Sequence, residues 1–391
     1  LKTPYWILPV IVLSQFCCTS LWFAGNAVMS ELLLKFGLNT EALGHLTSAV
    51  QFGFIAGTLS FAFLTIADRF SPSKVFLLSA LLGAFFNLGI LLDNNALPSL
   101  IIYRFLTGFC LAGIYPVGMK IAADYFDRGL GRSLGYLVGA LVLGTAFPHL
   151  LKALSGEIEL HWKSVIIFTS ILAGIGGLLI FLLVPDGPFR TKRNRPDISL
   201  FFKVFRNTEF RSAAFGYFGH MWELYAFWAF VPVILNFYRN SNPESNFSIP
   251  LISFLVIGLG SLACISGGYI SEKAGTNKTA GLALLMSGIC CLLSPLVFSF
   301  GSEVLLIGFL IFWGLVVIAD SPLFSTLVAR NASAESRGTA LTIVNCIGFS
   351  ITIFSIQLLN FLNGKLSPAL IFLFLAICPA FGLLSLFRKK L

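Results

Sequence analysis

Apolar stretches long enough to cross a lipid bilayer follow one another along nearly the whole chain, and nothing else in the sequence limits its fold so strongly. A helix needs about 20 predominantly apolar residues to traverse the hydrocarbon core, where every backbone N–H and C=O must find a partner inside the protein. Twelve such stretches are read, at approximately 5–34, 42–67, 74–94, 97–124, 132–154, 162–184, 210–237, 249–271, 279–300, 303–328, 337–362 and 367–387, numbered spans 1 to 12 in chain order. They predict an all-α membrane protein with twelve transmembrane helices. Composition agrees: 57% hydrophobic and 11% charged residues leave too little polar surface for a soluble fold of 391 residues. Span 1 is too long and too polar at Asn26 for a cleavable signal and has no basic leader.

The basic residues set a topology. With both termini in the cytoplasm, 19 Lys and Arg side chains fall on the cytoplasmic side and 5 (Lys35, Lys152, Lys163, Arg239 and Lys365) on the other, with Arg104 and Lys120 inside a span. The positive-inside rule favours that arrangement, and the expected location is the cytoplasmic (inner) membrane. The net charge of +9 is then a topology signal rather than a sign of nucleic-acid binding. All eight cysteines lie within spans, with no paired C-x-x-C frame, and read as small apolar packing residues. No phosphate-binding loop, zinc-ligand pattern or nucleophile elbow is present, so neither an enzyme, a cofactor nor ATP hydrolysis is expected.

The one long polar segment, 186–207, divides the spans six and six, giving bundles at 1–185 and 208–391 joined by a cytoplasmic linker. The halves repeat. Asp68-Arg69, with Ser71 and Lys74 beyond, follows span 2, and Glu272-Lys273, with Gly275 and Lys278 beyond, follows span 8, 204 residues later. Arg132 and Arg337 recur 205 residues apart. These loops resemble the G-x-x-x-D-[RK]-x-G-x-[RK]-[RK] signature of the major facilitator superfamily and its degenerate second copy. Leu64 and Ser71 depart from it in the first copy, while Gly268 and Gly275 match in the second. Arg104-Phe-Leu-Thr-Gly108 is similar to the family's R-x-x-x-G element. The resemblance covers the whole chain. It implies two pseudo-symmetric six-helix bundles, a central cavity lined by spans 1, 4, 7 and 10, and spans 3, 6, 9 and 12 outermost. The loops read either as a gating latch closed by charge pairing, in which Asp68 meets a helix N-terminus and Arg69 reaches Asp124 or Asp127, with Lys74, Glu272 and Lys273 as further members, or as solvated turns that obey the positive-inside rule.

Ionisable residues away from span ends are expensive in hydrocarbon and mark solute or proton paths. Spans 3, 6, 9 and 12 hold none; span 4 carries Arg104 and Lys120, span 7 His220 and Glu223, and span 10 Asp320. Isolated charges in low dielectric tend to bind or release a proton, so a transporter can use one as a carrier. Glu223 is the first candidate, with His220 one turn earlier able to exchange protons with it, and Asp320 beside Pro322 the third. A His220–Glu223 pair that only pins span 7 is the plainer reading. Arg104 suits an anionic group held bidentately, a role in proton coupling as the resemblance implies, or a tie to neighbouring carbonyls. Lys120 suits either substrate or an i,i+4 pair with Asp124. Asn26, Trp22, Gln51, Tyr115 and Asn345 fall on or beside cavity-lining spans, and Trp222, Tyr225 and Trp228 crowd Glu223, where aromatic rings stack on solute or simply pack.

The resulting expectation is a monomeric proton-coupled secondary transporter of a small solute, an organic anion or zwitterion, working in the bilayer by alternating access. Two cations in the first half against two acids in the second favour a solute able to bridge them. An exporter of amphipathic drugs is the first alternative, disfavoured because Ala140 follows Gly139 where family antiporters carry Gly-Pro. A non-transporting sensor on the same fold is the second. Nitrate is disfavoured, since spans 2 and 8 lack the arginines that nitrate carriers use.

Overall fold

The structure is a computed structural model that describes residues 4–126, 130–155, 161–190, 204–299, 301–332 and 337–387. Asp127 and most of the 186–207 linker lie outside these residues, as do the side chains of Arg132 and Arg337. Eleven helical segments among the described residues are long and apolar enough to cross a membrane, and the shorter apolar helix Ile7–Thr19 precedes them. The expectation of one continuous first span is corrected: span 1 is three consecutive helices, Ile7–Thr19, Ala24–Ala27 and Met29–Phe36. Spans 4, 8 and 10 are also interrupted, as Leu97–Leu111 and Tyr115–Tyr125, Ile249–Gly258 and Gly260–Ala274, and Glu303–Ala319 and Ser321–Arg330. Two of these breaks have a shared cause. Pro116 and Pro322, 206 residues apart, sit in the first turn of the second helix, where the missing N–H leaves a carbonyl of the preceding turn without its helical donor.

The chain divides into two compact units, Leu1–Pro196 and Asp197–Leu391. In the first, span 2 packs along span 4, span 3 along span 6, and span 1 against spans 5 and 6. In the second, span 8 packs along span 10, span 9 against spans 10 and 12, and span 7 against spans 11 and 12. The two seams rest on equivalent glycines. A Cβ added at Gly108 would lie 2.1 Å from the Val50 carbonyl oxygen, and one at Gly314 would lie 2.0 Å from that of Val256. Both members of these pairs are 206 residues apart, so the same backbone-to-backbone approach is built twice.

Burial follows the same order. Span 7 is the most enclosed, with 83% of its apolar window buried, against 28% for span 12. Spans 3, 6, 9 and 12 carry rows of exposed large apolar side chains, among them Leu78, Leu82 and Phe85, Phe168 and Ile171, Leu292 and Leu296, and Phe381 and Leu384. Such continuous apolar faces belong against lipid rather than water. Helix starts are fixed locally: Asn207 caps span 7 by accepting the N–H groups of Glu209 and Phe210 at 2.9 and 3.3 Å, and Ser302 caps span 10. Of the eight cysteines, seven are enclosed and Cys378 is half-buried.

Candidate functional site

The first unit holds one cation deep among its helices. Arg104 on span 4 is 1% exposed, and its guanidinium donates to the carbonyls of Leu21, at 3.1 Å, and Trp22. Those carbonyls face it because span 1 leaves its helix after Thr19, so the break supplies acceptors that the guanidinium fork fits. Carbonyl dipoles solvate a charge without cancelling it. Among the described residues Arg104 has no carboxylate partner, and its Nε has no hydrogen-bond partner. Around it, Trp22 packs on Phe54 with ring centroids 4.9 Å apart, and Asn26 donates to the Thr47 hydroxyl at 2.8 Å. Gln51 is fully enclosed, with no partner for either amide atom among the described residues; Tyr115 is half-buried beside the break in span 4.

Lys120 is neutralised. Its ammonium lies 2.8 Å from Asp68 and 3.7 Å from Asp124. Asp68 therefore pairs with Lys120, whereas a helix N-terminus was the partner expected for it. Arg69, at the end of the short helix Ile66–Arg69, and Lys74, in the first turn of the helix Pro72–Leu88, are exposed. A strap formed by residues 184–190 crosses these helix ends: the Ser73 hydroxyl donates to Val184 at 2.6 Å, Tyr125 to Pro185 at 2.6 Å, and Ser71 to Asp186 at 2.7 Å. Arg190 pairs with Asp186 and donates to the Phe70 carbonyl at 2.8 Å. In the second unit Glu272 and Lys273 are exposed, and Gly275, at φ 91°, takes a conformation that Ser71, at φ −58°, does not need.

The second unit holds two fully enclosed acids. Glu223 on span 7 is fully enclosed; Oε1 accepts the indole N–H of Trp313 at 2.6 Å, and the Ser287 hydroxyl lies 2.9 Å from Oε2. All its hydrogen-bond donors are neutral, and it has no cation in contact among the described residues. His220, one turn earlier, takes Asp320 rather than Glu223 as its partner, with Nδ1 2.7 Å from Oδ1 and both side chains at 0% exposure. The two side chains are thus in close polar contact, shut away from solvent. Asp320 occupies the junction of the two helices of span 10.

The aromatic residues near Glu223 separate. Trp222 turns outward and donates to the Phe374 carbonyl of span 12 at 3.1 Å, while Tyr225 and Trp228 pack edge-to-face at 5.4 Å, with Phe349 of span 11 on Tyr225. Asn345 is half-buried on span 11. Trp313 and Ser287, which hold Glu223, were not legible as site residues, since a tryptophan and a serine within apolar runs read as packing. The enclosed His149 of span 5 was not singled out by the sequence either.

These features define a multi-pass membrane protein with two six-span units built on one plan and buried charges placed in each. The chain belongs to the Major Facilitator Superfamily, whose family model matches residues 11–356. Two solved structures share the fold at 14% identity. One is a bacterial homolog of the human lysosomal transporter Spinster in an inward-facing, occupied conformation, with TM-score 0.70 over 99% of this chain and 97% of that one. The other is the nucleoside transporter NupG, with TM-score 0.73 over 98% and 100%. A stretch of 144 residues is 30% identical to a probable inorganic phosphate transporter 1-4 of Oryza sativa subsp. indica. That match takes in 34% of this chain and spans about a quarter (26%) of the curated relative's length.

Proposed function

We propose that the chain is a secondary transporter that moves a small anionic solute together with protons across the cytoplasmic membrane by alternating access, with both termini on the cytoplasmic side. The observation that carries the reading is Glu223: a carboxyl group enclosed in a membrane span, held by two neutral donors and facing no cation among the described residues. A structural ion pair would neutralise such a group, whereas a carrier has to gain and lose its proton. Arg104 supports the anion. It is enclosed and hydrogen-bonded but not neutralised among the described residues, so the first unit keeps one buried positive charge while Lys120 is cancelled by Asp68 and Asp124. The local likeness to phosphate transporters points the same way. His220, one helix turn from Glu223, and Asp320 of span 10 form a second protonatable pair. The protein works as a monomer on this reading.

The test is uptake into proteoliposomes under an imposed pH gradient. Glu223→Gln is expected to abolish gradient-driven uptake of the anion while the protein still purifies as a folded species. Undiminished coupled uptake in that variant would overturn the assignment. Candidate anions, inorganic phosphate first, are found by their thermal stabilisation of the purified protein.

A further inference from the structure

We infer that Glu223 takes up and releases its proton at one defined oxygen, Oε2, and that the Ser287 hydroxyl turns between two acceptors so that both states of the carboxyl stay fully hydrogen-bonded. This rests on the proposed role of Glu223 as proton carrier and assigns two positioning residues, Trp313 and Ser287, to it.

The indole N–H of Trp313 can only donate, and it is 2.6 Å from Oε1. Oε1 is therefore an acceptor in both states, and because a carbonyl oxygen accepts better than the hydroxyl oxygen of a carboxylic acid, the indole favours Oε1 as the C=O oxygen. Protonation falls to Oε2. Opposite Oε2 stands Ser287, whose Oγ lies 2.9 Å from that oxygen and 3.1 Å from the Leu284 carbonyl oxygen of its own helix. One hydroxyl has one proton and two acceptors in reach, and a hydroxyl also accepts. With Glu223 charged, Ser287 donates to Oε2. When a proton from the aqueous phase binds Oε2, the new O–H donates to Oγ and the serine proton swings to Leu284. No bond to the carboxyl is lost in either state. That matters in an enclosed site, where an abandoned polar group is costly.

The other titratable groups that act on Glu223 are Cys291 and the neighbouring Cys290 of span 9 and Asp320 of span 10, which is itself paired with His220. The Cys291 thiol also hydrogen-bonds the Glu223 carboxyl, while Trp313 holds Oε1 and Ser287 holds Oε2. Thiols are weak donors beside a hydroxyl, and Asp320 is engaged elsewhere.

Infrared difference spectra between acid and alkaline pH, recorded on the full chain reconstituted in lipid, test this. The protonated-carboxyl C=O band of the wild-type protein is expected to disappear in Glu223→Gln. It should move to higher wavenumber in Ser287→Ala, where the acid O–H has lost its acceptor, and return to the wild-type position in Ser287→Thr. A band lost in Glu223→Gln but unmoved in Ser287→Ala overturns the serine switch and leaves proton coupling intact. A shift that threonine does not restore is a packing change and overturns it too. If no band depends on Glu223, the carrier role fails, and this inference with it.

Discussion

Arg104 and Glu223 meet one problem, a charge-bearing group surrounded by hydrocarbon, in opposite ways. The arginine is solvated by two backbone carbonyls that a helix break provides, and the glutamate by two side chains that themselves carry no charge. Arg104 thus serves two tasks, tying span 1 to span 4 and holding a positive charge in the first unit. Arg104→Gln should lower the melting temperature of the solute-free protein and also raise the apparent dissociation constant for the transported anion at least about tenfold, a loss of roughly 1.4 kcal/mol. Calorimetric titration and melting curves on the same preparation check both; unchanged anion binding would leave Arg104 with its tie alone. The sequence showed which residues are costly to bury, because a charge in an apolar run stands out without any structure. It did not show their partners. Glu223 and His220 share a helix face at i,i+3 spacing, yet they diverge to Ser287 and Trp313 on one side and Asp320 on the other. Which neighbouring helix each one meets depends on packing between segments 64 to 100 residues apart, which periodicity does not encode.

Between elements, the tightest contacts are made by absent side chains. Gly108 on Val50 and Gly314 on Val256 leave no room for a methyl group, so Gly108→Ala and Gly314→Ala should each destabilise the protein by about 1–3 kcal/mol. Gly268→Ala, with nothing within 4 Å of the added atom, serves as the control in thermal melts of the purified protein. At the end of the first unit away from Asp68, Asp93 accepts the Lys35 ammonium at 3.1 Å with Lys163 at 3.7 Å. The hydrogen bond from Lys35, then the nearby Lys163 charge, hold its carboxyl below the ordinary value of 3.8. A depressed folded-state value means that this clasp stabilises above the ordinary carboxylate range and is lost as pH falls through the lower folded value. The melting temperatures of wild type and Asp93→Asn should therefore differ modestly at neutral pH and converge on strong acidification or in high salt, since the site is exposed. Helix existence was legible from length and apolarity; the interruptions were legible only in part. Pro322 marks the break in span 10, but nothing comparable marks residues 20–23 of span 1, where the chain leaves its helix with no proline and the Arg104 guanidinium meets the carbonyls exposed there.

At the scale of the whole molecule, the loop charges predict which aqueous side each connection meets. Single cysteines introduced as Asn277→Cys and Ser245→Cys should react with a membrane-impermeant maleimide from the cytoplasmic and the opposite side respectively; the reverse pattern would invert the proposed topology. The repeat was legible in its loops and is carried further by the packing, in the seams between spans 2 and 4 and between spans 8 and 10. These seams have a mechanical consequence. Where backbones touch directly there is no intervening layer of side chains to slip or repack, so each pair of spans behaves as one stiff beam. Compliance then has to reside where the helices are interrupted, at residues 20–28, at 112–114, at Leu259 and at Asp320. Two of those joints are equivalent positions in the repeat, yet one carries Ile114 and the other Asp320. On the proposed reading, protonation acts on the joint at Asp320 and finds no titratable group at its counterpart Ile114, so two beams of one plan would respond unequally to the same change in acidity.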